Sequence, residues 1–112
     1  MTPAVPYLAV IFSSQLSDEP DGYAEAADRM VALATGQPGF LGVESARGPD
    51  GFGITISYWR DEESLTAWRA HLEHRMVQDR GRQEWYTRYN LRVAQVTRVT
   101  SHTLGPGDGT GQ

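Results

Sequence analysis

The sequence predicts an α+β domain of ferredoxin-like order, β-α-β-β-α-β, with a four-stranded antiparallel sheet and both helices on one of its faces. Three observations predict it. Apolar residues alternate in four separate runs, recur at three- and four-residue steps in two others, and the runs are set apart by Gly, Pro and Asp.

Tyr7 to Gln15 (YLAVIFSSQ) is rich in β-branched and aromatic residues and is bounded by Pro6 and the polar turn LSDEPDG, so it reads as the first strand. Asp21 and Gly22 lead into YAEAADRMVALAT, where Tyr23, Ala27, Met30, Val31 and Ala34 mark one helical face, closed by Gly36 and Pro38. Phe40 to Ala46 and Phe52 to Trp59 are two strands joined by RGPDG, whose Pro-Asp-Gly suits a hairpin turn. In the second of them Phe52, Ile54, Ile56 and Tyr58 share a strongly apolar face.

Asp61 stands as the N-cap of the second helix, with Ser64 as an alternative, and Glu62 and Glu63 suit the positive end of its dipole. Leu65, Trp68, Leu72 and Met76 form the stripe this helix buries, and Gly81 breaks it. A short helix is expected through GRQEWYTRY, followed by a long last strand from Leu91 to Ser101. The tail LGPGDGTGQ is rich in glycine and poor in apolar residues, so the domain is expected over residues 1–102, with a disordered tail over 103–112. A sheet with both helices on one face leaves the other bare, and a second copy of the chain is the expected cover, which predicts a homodimer.

Composition excludes several classes of function. With no cysteine there are no disulfides, thiolate metal sites, iron–sulfur clusters or cysteine nucleophiles. The net charge of −4 argues against nucleic acid as a partner. No apolar run approaches the roughly 18 residues of a membrane span, and the N-terminus has no basic region ahead of its apolar one, so the expectation is a cytoplasmic protein with no membrane partner. Motifs for nucleotide cofactors, nucleophile elbows and zinc peptidases are missing. Charge is nonetheless polarised. Ser17 to Asp28 holds five carboxylates and a base-free stretch, whereas Arg75 to Arg92 holds five arginines against two carboxylates. The second segment reads either as a solvated face or as a place for an anionic or phenolate ligand.

At QPGFLGVES (Gln37 to Ser45), ITISYW (Ile54 to Trp59), SLTAWRAHLEH (Ser64 to His74) and RQEWYTRY (Arg82 to Tyr89) the chain resembles the antibiotic biosynthesis monooxygenase family of the dimeric α+β barrel superfamily. The resemblance runs from Tyr7 to Ser101. It implies a homodimer whose two sheets face one another, with a ligand pocket in each subunit between helices and sheet. Some members of that family oxidise polycyclic phenols with O2 and without metal or flavin, others bind and degrade haem, and many have no demonstrated activity. The haem branch is similar in its helix tryptophan, which corresponds to Trp68. Its haem-ligating histidine corresponds to Gln78, whose amide is no substitute for imidazole on iron, and its first-strand asparagine to Phe12 or Ser13. Haem is therefore disfavoured, although His74 offers another imidazole on the same helix.

The candidate site lies in the run from Ser57 to Arg92, which carries all three tryptophans and two of the three histidines. His71 and His74 are three apart on one helix. A metal site would need a third ligand, for which no Glu-x-x-His pair is at hand, so no metal and no cofactor are expected. The pair reads either as a surface or interface feature or as the source of a catalytic base with a pKa near neutrality. Trp68 and Tyr58 are the expected walls of a pocket for a planar ligand, with Phe12 and Trp85 beside them. Tyr58 and Trp59 point to opposite faces, so at most one of them lines it. Ser13, Ser14 and Gln15 end the first strand with polar atoms able to orient a hydroxyl or O2, and Ser14 is the binding candidate among them. Arg75, Arg82 or Arg88 is the expected anchor of an anion, Arg75 foremost. These readings predict a small dimeric monooxygenase acting on a planar phenolic or polyketide-like molecule with O2. The alternatives are a non-catalytic dimer that binds a small aromatic molecule, and a haem-degrading enzyme.

Overall fold

The protein is described here by a computed structural model over residues 3–18, 22–80 and 85–104, the side chains of residues 74 and 76–80 excepted. Its elements are β1 (Tyr7–Leu16), α1 (Tyr23–Thr35), β2 (Phe40–Arg47), β3 (Phe52–Trp59), α2 (Glu62–Arg80) and β4 (Tyr86–Val96). The strands form one antiparallel sheet in the order β2-β3-β1-β4. This is the predicted ferredoxin-like α+β arrangement.

Local chemistry accounts for the boundaries. Asp61 caps α2 as expected: its Oδ1 accepts the Ser64 N–H at 2.9 Å, and its carbonyl accepts the Leu65 N–H at 3.1 Å. Those hydrogen bonds from Ser64 hold the Asp61 carboxyl below its ordinary pKa. The β2–β3 hairpin turns on Gly51, whose φ of 90° suits glycine. Register sorts side chains onto two faces. Val10 of β1 pairs with Ser57 and Val93, and Leu8 pairs with Trp59, so these share a face. Both helices pack there. The core joins Val10, Ala34, Trp59, Leu65 and Trp68, with Leu8, Met30, Leu33, Phe40, Leu72 and Leu91 packed against them. At its centre Trp59 stacks on Trp68 with ring centroids 5.5 Å apart and meets the edge of Phe40.

The opposite face carries Ile11, Ile54, Ile56 and Tyr58, and neither helix packs on it. Ile54 is 40% exposed.

Gly39 ties the end of α1 to the start of α2. Its φ is 82°, its carbonyl accepts the Arg60 N–H at 2.8 Å, and a Cβ built there would collide with the Ser64 side chain. A Gly39→Ala substitution is expected to destabilise the fold by about 2 kcal/mol or more, combining left-handed strain with that collision. A denaturant midpoint equal to that of the parent chain would contradict this account.

Two expectations are corrected near the C-terminus. Tyr86 to Tyr89 are not helical but begin β4, because the ladder to β1 (Tyr89 opposite Ser14, Tyr86 opposite Leu16) recruits them. The last strand also ends at Val96 rather than Ser101. Val96 lies opposite Tyr7, the first residue of β1, and the preceding Pro6 has no N–H to extend the ladder. Gly81, Arg82 and most of the expected tail lie outside the described residues, as do the side chains of His74, Met76 and Gln78.

Candidate active site

A cleft of about 500 Å³ lies between the two helices and the inner face of the sheet. Its existence follows from side-chain size. Ala26, Ala27 and Ala34 line it from α1, where larger residues would fill the space, while Met30 and Val31 supply apolar surface. From α2 come Trp68, Arg69, Leu72 and Glu73. The sheet contributes an apolar strip of Val10, Phe12 and Leu91, and beside it a polar strip of Ser45, Thr55 and Ser57. Trp85, Tyr86 and Tyr89 form an aromatic end wall, with Phe12 at 5.3 Å from Tyr86 and 5.5 Å from Tyr89, centroid to centroid.

The polar strip is ordered by its own hydrogen bonds. Ser45 Oγ and Thr55 Oγ1 are 2.8 Å apart, and Ser57 Oγ accepts the Trp59 indole N–H at 2.9 Å. At the end of the strip Arg47 is gripped from several sides. Its Nη2 donates to Ser14 Oγ at 2.8 Å and to Tyr23 Oη at 2.9 Å, and its Nη1 donates to the carbonyls of Ser14 and Gly51. The guanidinium also lies 5.1 Å from the Tyr23 ring centroid. Burial, reinforced by the neighbouring Tyr23, pushes the Tyr86 phenol well above its ordinary pKa, and the nearby Arg47 offsets this only in part. Tyr86 is therefore a neutral hydroxyl at physiological pH.

Of the residues singled out from the sequence, Trp68, Phe12 and Trp85 line the cleft. Ser14 is fully buried behind it, held by Arg47. Tyr58 is a correction: it lies on the opposite face of the sheet, edge-on to Tyr7 and donating to Glu44 Oε1 at 2.7 Å, because it alternates with Ser57 and Trp59. That hydrogen bond and the adjacent carboxylate push its phenol up to about 12. Trp59 faces inward instead, as the centre of the core. His71 is not among the lining residues; it stacks on Trp68 with centroids 5.5 Å apart, and its Nε2 has no hydrogen-bond partner. Arg75 is partly buried and also outside the lining. Arg88 lies over the Phe52 ring on the other face of the sheet, 5.6 Å from its centroid. The side chain of His74 is outside the described residues.

Arg47 and Tyr23 are the site residues that sequence reasoning missed. A signal for Arg47 existed in the alternation of β2, which puts Val43, Ser45 and Arg47 on one face. Among the described residues no three His, Asp or Glu side chains gather as a metal site, and no helix is long and apolar enough to cross a membrane.

Comparison with known proteins agrees with this architecture. The chain is 55% identical over 97 residues to the uncharacterized protein YqjZ of Bacillus subtilis, a match covering 87% of this chain and 85% of that one. It is 47% identical over 47 residues to the jasmonate monooxygenase ABM of Pyricularia oryzae, covering 42% of this chain but only 22% of the fungal protein. In fold it is similar to a variant of SnoaB, a cofactor-independent oxygenase from Streptomyces nogalater, with a TM-score of 0.68 and 18% identity over 86% of this chain and 97% of that one. It is also similar to PA3566 of Pseudomonas aeruginosa, with a TM-score of 0.57 and 22% identity over 86% and 97% of the two chains. The family model for antibiotic biosynthesis monooxygenases matches residues 6–80, spanning β1 to the end of α2, and the chain belongs to that family.

Proposed function

We propose that the protein is a homodimeric monooxygenase that oxidises a planar phenolic or polyketide-like molecule with O2, without a cofactor. The observation that carries this reading is the cleft. At about 500 Å³ it has the size of a small-molecule site, and its walls are apolar and aromatic, with hydroxyl groups in the strip of Ser45, Thr55 and Ser57 and on the tyrosines of its end wall. A flat ring system bearing oxygens at its edges fits that lining, to which Trp68 and Phe12 both contribute. The family membership, and the oxygenase names borne by a relative and a structural neighbour, support the same chemistry.

The reaction balances without an external reductant. A substrate methylene beside a phenol loses two hydrogens; one oxygen atom of O2 becomes the new carbonyl, and the other leaves as water with those hydrogens. The electrons come from the substrate, whose phenolate is the reducing form. In this reading His71 acts through Trp68, on whose ring it stacks, and the bare apolar face of the sheet takes the second subunit.

An oxygen electrode with a panel of anthrone-like phenols tests the proposal. One O2 consumed per substrate, with no added reductant and no loss of rate in a chelator, is the expected result. Saturable binding with no oxygen uptake would replace the enzyme by a binding protein for the same molecules.

A further inference from the structure

We infer that the Tyr23 hydroxyl, backed by Arg47, is the anchor for a single anionic oxygen of the ligand, so that the cleft takes phenols and enols as their anions in preference to carboxylates. This rests on the proposed phenolic substrate and assigns the part of the site that would recognise it.

The hydrogen bonds of Arg47 carry the inference. A guanidinium recognises carboxylates by presenting two parallel N–H groups. Here both terminal nitrogens of Arg47 already donate within the protein, to Ser14, Gly51 and Tyr23, so that fork is not on offer to a ligand. Its charge is on offer. Among the described residues no carboxylate pairs with Arg47, and the guanidinium stands directly behind a phenol that lines the cleft. Tyr23 Oη accepts from Arg47 and is also within hydrogen-bonding reach of the Tyr86 hydroxyl, so the two phenols form one hydroxyl pair with a cation behind it, and a donor polarised by a cation suits one charged oxygen. Tyr86, neutral and lining the same end, is a second hydroxyl within that wall.

The other charged or titratable groups lining the cleft are Arg69 and Glu73 on α2 and Tyr89 on β4. Glu73 is the one acid among them and is exposed, so its field is screened by solvent. Arg47 thus places a cation behind the Tyr23 hydroxyl, and among the described residues lining the cleft Arg69 on α2 is the one basic side chain. Such a site stabilises a phenolate without a general base: the proton goes to solvent, and the anion is held by hydroxyl donors with the cation behind them.

Umbelliferone is a suitable probe, being a flat phenol whose neutral and ionised forms absorb at different wavelengths. Bound to the full-length chain it is expected to ionise about one pH unit or more below its value in free solution. Tyr23→Phe, which keeps the ring, is expected to abolish that downward shift, and Arg47→Lys to reduce it. In competition, 2-naphthol is expected to displace the probe at least about tenfold more tightly than 2-naphthoate. An unshifted pKa in the parent protein, an equal shift in Tyr23→Phe, naphthoate binding as tightly as naphthol, or no saturable binding of the probe would overturn the inference. None of these readouts needs turnover. A shifted phenol without oxygen uptake removes the oxygenase reading and leaves the anchor, whereas uptake with an unshifted phenol does the reverse.

Discussion

Trp59→Ala is expected to lower folding stability by about 3–5 kcal/mol, measured as the shift in urea midpoint with the slope unchanged. Trp59 has 0% exposure and touches both flanking aromatics, Phe40 on one side and Trp68 on the other. Its truncation opens a cavity in the middle of the only described core cluster and removes the N–H that Ser57 Oγ accepts. Domains of this size have about 5–15 kcal/mol in total, so the variant should sit near the edge of folding at moderate temperature. A loss below about 1 kcal/mol would show that the core closes over the gap, and the stacked arrangement would then lose its central energetic role.

The second large effect is expected from Arg47→Met, at about 2–4 kcal/mol. The substitution keeps the apolar stem but strips the donors from Ser14 Oγ, the Ser14 and Gly51 carbonyls and Tyr23 Oη. Ser14 has 0% exposure, so its hydroxyl cannot turn to water, and an unsatisfied buried polar group costs about 1–3 kcal/mol. Arg47→Lys should cost less, because an ammonium restores the charge and some of the donors. A double-mutant cycle with Ser14→Ala isolates the pair: the two losses should fall well short of additive. Strict additivity would mean that Arg47 stabilises the hairpin through its stem rather than through its hydrogen bonds.

Most of the architecture was legible in the chain because local signals and global packing agree there. The limits of α1 and β3 follow from Gly, Pro and the two periodicities, and Asp61 announces α2 through its capping chemistry. The errors lie where pairing partners distant in sequence decide. Tyr86 to Tyr89 carry aromatic residues at a spacing compatible with a helix, yet the open edge of β1 claims them as strand. Tyr58 and Trp59 were correctly assigned to opposite faces, but alternation alone does not say which face the helices cover, since both carry aromatic side chains. Only Leu65 and Trp68 packing on Trp59 decide it. Arg47 escaped notice for the same reason: beside Gly-Pro-Asp-Gly it looks like a turn charge, and its partners Ser14 and Tyr23 arrive from β1 and α1.

The hydroxyl strip on β2 and β3 bears on how this scaffold diversifies. Ser57 is committed to the Trp59 indole, but among the described residues the side chains of Ser45 and Thr55 bond only to each other, and no helix residue bonds to either hydroxyl. A descendant chain can therefore exchange that pair for other polar or apolar combinations and acquire a taste for a differently decorated ring. Selection acting on two codons, 10 positions apart in sequence but paired across a hairpin, would suffice, with the helical roof and the tryptophan core inherited unchanged.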